Sequence, residues 1–467
     1  MKTFLPLNST AKHCLHCCLL FAIIIASLFH LVSSNSEDES ASFDPNALYG
    51  TFGTFVLYFL RVLALLSLPQ VICNFFGLTL FNAFPEKVQL KSSPLLAPFI
   101  CIRVVTRGDF PDLVKKNVTR NMNTCLDVGL ENFIVEVVTD KAINFGKHPR
   151  VRELIVPKEY KTKTGALFKA RALQYCLEPE NNLLNENDWI VHLDEETLLT
   201  ENCVRGIINF VLHGKHEFGQ GLVTYANEEI VNWLTTLADS FRVTDDMGKL
   251  RFQFYIFHRP LFGWKGSYVV SKAGAEIDVT YDHGLDGSIA EDCYFSMIAY
   301  SKGYTFDFIE GEMWEKSPFS LRDFIQQRKR WIQGIYLVVH SPKIPFTNKL
   351  FLAMSLYAWI TVPLSTLNLF LTYFFPLPKD SLMLFNCLVA FVGAVNIYMY
   401  IFGVLKSFSL MRIGLLKFIL CIAGALLTIP VNIIFENIAI IWGITTNKHK
   451  FYVVQKQLQS LQPENIV

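Results

Sequence analysis

The hydrophobic and polar positions divide the chain into apolar flanks around a punctuated middle. An apolar run at 14–33 follows Lys2 and Lys12 and precedes Glu37, Asp38 and Glu39; it reads as a signal anchor or a cleaved signal peptide. A second run at 51–84, interrupted by Arg61 and Pro69 and followed by Lys87 and Lys91, is long enough to cross a bilayer with tilt. Both readings of the first run place residue 90 onward in the cytosol.

Between 94 and 345 short apolar runs end in polar residues. The runs 100–105, closing at Thr106, 133–138, closing at Asp140, and 189–193, closing at Asp194, predict strands alternating with helices, hence a mixed, mainly parallel α/β sheet. Ligands of such sheets bind at strand carboxyl ends, where Asp140 and Asp194 fall. Ser320 and Asp323 have capping-box spacing, and Leu321, Phe324, Ile325, Trp331, Ile332, Ile335, Val338 and Val339 predict an amphipathic helix over about 321–340, suited to a membrane surface.

After Pro345 apolar texture returns at 350–376, 382–405 and 413–442, each long enough to span once. Lys406, Arg412 and Lys417 fit a cytosolic loop, which would leave Lys448, His449 and Lys450 on the wrong side; the third block, bent by Pro430, is therefore read as re-entrant or a hairpin if not a span. The chain thus divides into an N-terminal membrane region at 1–93, a cytosolic domain at 94–345, a C-terminal membrane region at 346–445 and a tail at 446–467.

Composition agrees with membrane insertion, with 51% hydrophobic and 14% aromatic residues. A net charge of +1 from 42 basic and 41 acidic residues, without a long basic run, excludes a nucleic-acid partner. Eleven cysteines lack paired zinc or disulfide spacings and read as reduced. His13, His16, Cys14, Cys17 and Cys18 look like metal ligands, but they enter an apolar run and read as buried or lipid-facing groups.

Three polar clusters carry the chemistry. Asp194 and Glu196, two apart beyond a strand, can converge on Mg²⁺ or Mn²⁺, or form an acidic turn capping the next helix. Glu291-Asp292, after Asp286-Gly287-Ser288, offers a carboxylate base for an attacking hydroxyl, or a helix N-cap. Gln327, Arg330 and Trp331, at i, i+3 and i+4, share a helix face, with Arg330 suited to a diphosphate and the indole to a sugar ring; alternatively Arg328, Lys329 and Arg330 are flanking charge.

In this order the clusters resemble the marks of the inverting, nucleotide-sugar-dependent glycosyltransferases of family 2: an acidic metal motif, an acidic base pair and Gln-x-x-Arg-Trp. The runs Trp-Ile-Val-His-Leu-Asp-Glu-Glu-Thr at 189–197, Phe-Gly-Trp-Lys-Gly-Ser-Tyr at 262–268 and Gln-Arg-Lys-Arg-Trp-Ile-Gln-Gly at 327–334 are similar to the invertebrate β-1,4-mannosyltransferase branch. The resemblance implies a GT-A-like domain. It assigns Asp140 and Lys163 to the nucleoside, Asp194 and Glu196 to the metal and diphosphate, and Asp292 to the general base. Gln327 and Arg330 go to the diphosphate and Trp331 to the acceptor sugar. Trp264 is a second stacking candidate or a core aromatic. Asp-Glu-Glu stands where many relatives carry Asp-x-Asp, leaving Glu195 or Glu196 to complete the metal shell, with Glu196 preferred.

The implied reaction moves mannose from GDP-mannose to the 4-hydroxyl of glucosylceramide, with inversion, in glycosphingolipid biosynthesis at the endoplasmic reticulum or Golgi. Its rivals are a processive synthase using a UDP-sugar and a nucleotide-binding transporter or receptor. The sequon at Asn117 is expected to stay unmodified in a cytosolic domain.

Overall fold

A computed structural model describes residues 8–37, 43–378, 383–453 and 456. The three strands read from the sequence are realised almost residue for residue as β1 Ile100–Thr106, β2 Phe133–Thr139 and β4 Trp189–Asp194, and the structure adds β3 Val151–Ile155 between the last two in chain order. With β5 Phe218–Thr224, β6 Val269–Lys272 and β7 Phe306–Trp314 they form a seven-stranded sheet of order β3-β2-β1-β4-β6-β5-β7. Only β6 runs antiparallel to its neighbours, β4 and β5. Registers pairing Thr106 with Thr139 and Val105 with Asp194 bring the carboxyl ends of β1, β2 and β4 to one edge.

An ionic network is buried inside this sheet. Arg103 on β1 donates to Glu136 on β2 at 2.7 Å and to Glu276, just beyond β6, at 3.0 Å, while His192 on β4 meets Glu276 at 2.6 Å. Arg152 on β3 closes the other side of Glu136 at 2.9 Å. Each buried charge is thereby paired across strands, and removing one partner would leave the others uncompensated.

The amphipathic segment forms the helix Leu321–His340, with Ser320 Oγ accepting from the Asp323 amide at 3.1 Å. A Cβ at Gly334 would lie 2.6 Å from the Ala290 Cβ, so glycine lets this helix press against the residues just before Glu291.

The apolar flanks form the helices Ser9–Glu37, Pro45–Leu63 continuing through Leu68–Thr79, Phe346–Ile360 and Val362–Phe374 bent by 50°, Met383–Ser407 and Leu415–Thr445. Among the described residues, four helical segments are long and apolar enough to cross a membrane, or five with the bent pair. Tyr49 and Pro376 meet at the end away from the sheet, with a 2.9 Å hydrogen bond.

Leu415–Thr445 is continuous through Pro430, which corrects the expectation of a hairpin. At its start Arg412 donates to the carbonyls of Ala226 and Asn227, and beyond its end His449 meets Asp286 at 2.9 Å. Along its length Phe435 lies 6.5 Å from Phe324, and Gln333 donates to the Gly443 carbonyl. Both ends therefore touch the catalytic half, while the helix also packs on Val362–Phe374 and Met383–Ser407. In sealed vesicles, epitopes placed at 408–414 and at the C-terminus are expected to be accessible together with the catalytic domain, and one at 43–44 oppositely. Opposite accessibility of the first two would show that this helix crosses.

Candidate active site

The acidic turn after β4 is fixed from below. Asn117 donates to the Glu195 carbonyl at 2.9 Å, and Asn121 bridges the Thr197 carbonyl and the Leu199 amide at 3.0 and 2.8 Å. Thr197 Oγ1 donates to Glu315 at 2.6 Å. All three carboxylates of this turn line a cavity of about 1230 Å³, but Glu195 is 5% exposed and its carboxylate also accepts from Thr106 Oγ1. The Asn117 side chain is itself buried by its structural bond, so lack of glycan there would follow from the fold and says nothing about sidedness.

Lys169, which the sequence reading passed over, holds the site together. Its ammonium donates to Asp194 at 2.6 Å and to the Gly266 carbonyl at 3.1 Å, with Glu291 at 3.8 Å. A Cβ at Gly266 would lie 3.1 Å from Asp292 Oδ2 and 3.4 Å from Lys169 Nζ, so the absence of a side chain admits this convergence. Lys163, which the resemblance assigned to the nucleoside and which lies six residues earlier, is exposed and outside the cavity lining. The signal favouring Lys169 is positional: it is the second residue of the helix Phe168–Leu177, whose first residue has a φ of 55° that turns the chain.

The remaining residues divide by environment. Asp140 lines the cavity rim and pairs with Arg171 at 2.7 Å. Asp292 accepts its neighbour Cys293's amide at 2.7 Å and faces the cavity beside Glu291. Gln327, Arg330 and Trp331 line the same cavity. The buried Nε of Arg330 has no hydrogen-bond partner among the described residues, leaving a guanidinium donor free for an anionic ligand. Arg328, by contrast, turns inward to Asp239 at 2.8 Å and Glu436 at 3.0 Å, and with Arg242 lies 4.6 Å from the Trp331 ring centroid. Trp264 is 6% exposed among Phe218, Phe254 and Phe306, so its ring supports the cavity wall from the core and is not an open stacking platform.

The tail folds back onto this site. Phe451 stacks on Phe168 at 4.8 Å and lies under Arg330, and Tyr452 donates to Asp323 at 2.7 Å. Lys456 places its ammonium 2.5 Å from Glu196 and 3.2 Å from Glu195.

Electrostatics follow from this crowding. Burial pushes Glu196 up to about 7, opposed by Lys456 and aided by Asp194 and Glu315. Burial and Asp292 push Glu291 up to about 7, and burial raises Asp292 as well. Asp194 stays below the usual carboxylate range because Lys169 and Lys456 outweigh its burial. The same carboxylates hold Lys169 above its ordinary value despite burial.

This arrangement of an acidic turn, an acidic pair and a Gln-x-x-Arg-Trp helix around one cavity has clear relatives. A profile described as "Glycosyl transferase family group 2" matches residues 189–406. The chain is 66% identical to beta-1,4-mannosyltransferase egh of Drosophila melanogaster over 98% of its length and all of that protein. It is 60% identical to beta-1,4-mannosyltransferase bre-3 of Caenorhabditis elegans over 97% of its length and all of that protein. The chain belongs to the β-1,4-mannosyltransferase family of group 2 glycosyltransferases. Among solved structures, mannosyltransferase PcManGT from Pyrobaculum calidifontis, in complex with GDP-Man and Mn²⁺, aligns with a TM-score of 0.46 at 13% identity, covering 82% of this chain and 99% of that one. This glycosyltransferase has the mixed, mainly parallel sheet of GT-A enzymes, with membrane helices on both flanks.

Replacing Lys169 by Met leaves Asp194, Glu291 and Asp292 without their fixed cation. The variant is expected to lose about 2 to 4 kcal/mol of stability. The loss should be larger at about pH 8 than at about pH 5.5, because the raised carboxyls are neutral in acid and no longer need the lysine. Thermal denaturation of the detergent-solubilised protein at the two pH values measures this.

Proposed function

We propose that the glycosyltransferase transfers mannose from GDP-mannose to the 4-hydroxyl of glucosylceramide, forming a β-1,4-linked mannosyl-glucosylceramide. The observation carrying this reading is that one cavity is lined both by Asp194, Asp292 and Arg330 and by Gln70, Asn396, Asn432 and Glu436 of the apolar helices. A soluble donor at the sheet edge and an acceptor anchored in lipid can thus meet in one space. The names of the relatives support the sugar and the linkage.

In this reading Asp292 takes the proton of the acceptor hydroxyl as it attacks the anomeric carbon from the face opposite the diphosphate, which inverts that centre. Its raised affinity for protons brings it toward the range where a carboxylate is an effective base. Arg330 carries a free donor for the departing diphosphate. Gln327 lies beside it, and Asp140 and Arg171 flank the nucleoside end. Trp331, held by two guanidinium groups, contacts the acceptor sugar.

Asp194 and Glu196 line the cavity as oxygen donors that fit Mg²⁺ or Mn²⁺, a hard cation completed by phosphate oxygens; when bound, it would neutralise charge on the leaving diphosphate. Glu195 fits this role less well because its carboxylate is engaged by Thr106. The basic residues that flank the apolar segments, Lys87, Lys91, Lys406, Arg412 and Lys448, support a cytosolic catalytic domain, in the endoplasmic reticulum or Golgi.

Membranes carrying the wild type or Asp292→Asn, supplied with labelled GDP-mannose, glucosylceramide and Mn²⁺ or Mg²⁺, test the reading. A single-mannose lipid is expected from the wild type, with about 10²- to 10⁴-fold less from the variant and donor binding retained. A polymer made from UDP-sugars in place of that lipid would point to a processive synthase.

Metal affinity should also depend on pH. Glu196 must release its proton to act as a ligand, so Mn²⁺ binding is expected to tighten as pH rises from about 6 to about 8. Glu196→Gln should weaken binding and flatten that dependence, as read by titration calorimetry; an unchanged slope would remove Glu196 from the metal shell.

A further inference from the structure

Far from the acidic cluster, the start of the helix Ser9–Glu37 brings together three side chains with metal-binding atoms. His13, His16 and Cys17 sit at i, i+3 and i+4, and one ligand atom from each lies within 4.8 Å of the other two. His13 Nδ1 is 3.1 Å from His16 Nε2, Cys17 Sγ is 3.5 Å from His16 Nε2, and Cys17 Sγ is 4.0 Å from His13 Nδ1.

We propose that these residues form a zinc site. With Zn–N near 2.05 Å and Zn–S near 2.3 Å, a tetrahedral ion separates its nitrogen ligands by about 3.3 Å and nitrogen from sulfur by about 3.6 Å. The observed spacings bracket those edges. A two-nitrogen, one-sulfur donor set also selects a borderline-soft ion and separates this site from the all-oxygen cluster at Asp194.

The surroundings meet the further needs of such a site. His16 is 2% exposed, and its other ring nitrogen lies 2.9 Å from Tyr398 Oη, whose hydroxyl also donates to the His16 carbonyl at 3.0 Å. That contact fixes the ring with Nε2 toward the cluster, as outer partners of ligating histidines do. The Leu78 carbonyl, 3.1 Å from His16 Nε2, supplies an oxygen on the same side. The Ala83 amide approaches His13 Nδ1 at 3.3 Å, and this contact gives way when that nitrogen takes the metal. The site would join the first helix, the 78–84 loop and the helix Met383–Ser407. The sequence pattern alone had favoured ordinary buried thiols here; the convergence of both rings on one sulfur is what changes the reading.

The test is the metal content of purified full-length protein in detergent, measured by plasma mass spectrometry, with cobalt substitution after chelation. About one zinc per chain is expected, falling at least fivefold in Cys17→Ser and in His13→Gln but retained in Asp194→Asn. Cobalt should give a thiolate charge-transfer band in the wild type and in Asp194→Asn, absent from Cys17→Ser. Should either variant fail to fold, the other and the wild-type spectrum still decide. Metal-free wild type without a thiolate band would leave a hydrogen-bonded histidine pair only, and zinc that survives both substitutions but vanishes in Asp194→Asn would place it at the acidic cluster; either result overturns the proposal.

Discussion

The crowding of carboxylates at one sheet edge is the constraint around which the rest of the catalytic half is arranged. Asp194, Glu195, Glu196, Glu291 and Asp292 share a space served by Lys169, Lys456 and Arg330. At an effective dielectric of about 20, two like charges 5 Å apart repel by roughly 3 kcal/mol. Such a group cannot persist fully ionised without rigid support and nearby cations. The support comes from Thr106, Asn117 and Asn121, which fix the turn from below. The cations come from three separate stretches of chain, and burial, with repulsion from neighbouring carboxylates added to it, still raises the proton affinity of Glu196, Glu291 and Asp292.

A second ionic device holds the platform in place. The Arg103, Glu136, Glu276 and His192 network crosses the sheet, so strand register is tied to charge pairing as well as to side-chain alternation. Arg328 does the same between layers, linking Asp239 to Glu436 of the long apolar helix while bracing Trp331. The three adjacent cations 328–330 thus have three destinations: Arg328 the interior, Lys329 the Trp442 ring, and Arg330 the cavity.

Much of this was legible in the sequence because the signals are local. A short apolar run, buried along nearly its whole length, and an abrupt polar residue mark β1, β2 and β4, and the cap at Ser320 marks the start of the cavity helix. Asp140, Asp194, Asp292, Gln327, Arg330 and Trp331 do line one cavity. What escaped depends on distant partners. Lys169 and Lys163 differ only in which way a turn aims them, and nothing near Lys456 signals Glu196, 260 residues earlier. Trp264 shows the converse: a tryptophan between glycines looks exposed until the aromatic residues around it are placed. Pro430 was weighed as a breaker, yet an apolar helix with packing along one side tolerates it.

The helix Leu415–Thr445 has a consequence for how the chain is made. By composition it could be inserted across a bilayer as it leaves the ribosome, and yet both its ends belong beside the sheet. The surfaces it packs on, 233–238 and 324–333, precede it in the chain and are synthesised first. Packing on these surfaces and burial in lipid therefore compete for the same apolar side chains. Cover for this helix is then tied to folding order, and a slowly folding catalytic half would leave its apolar face without a protein partner for longer.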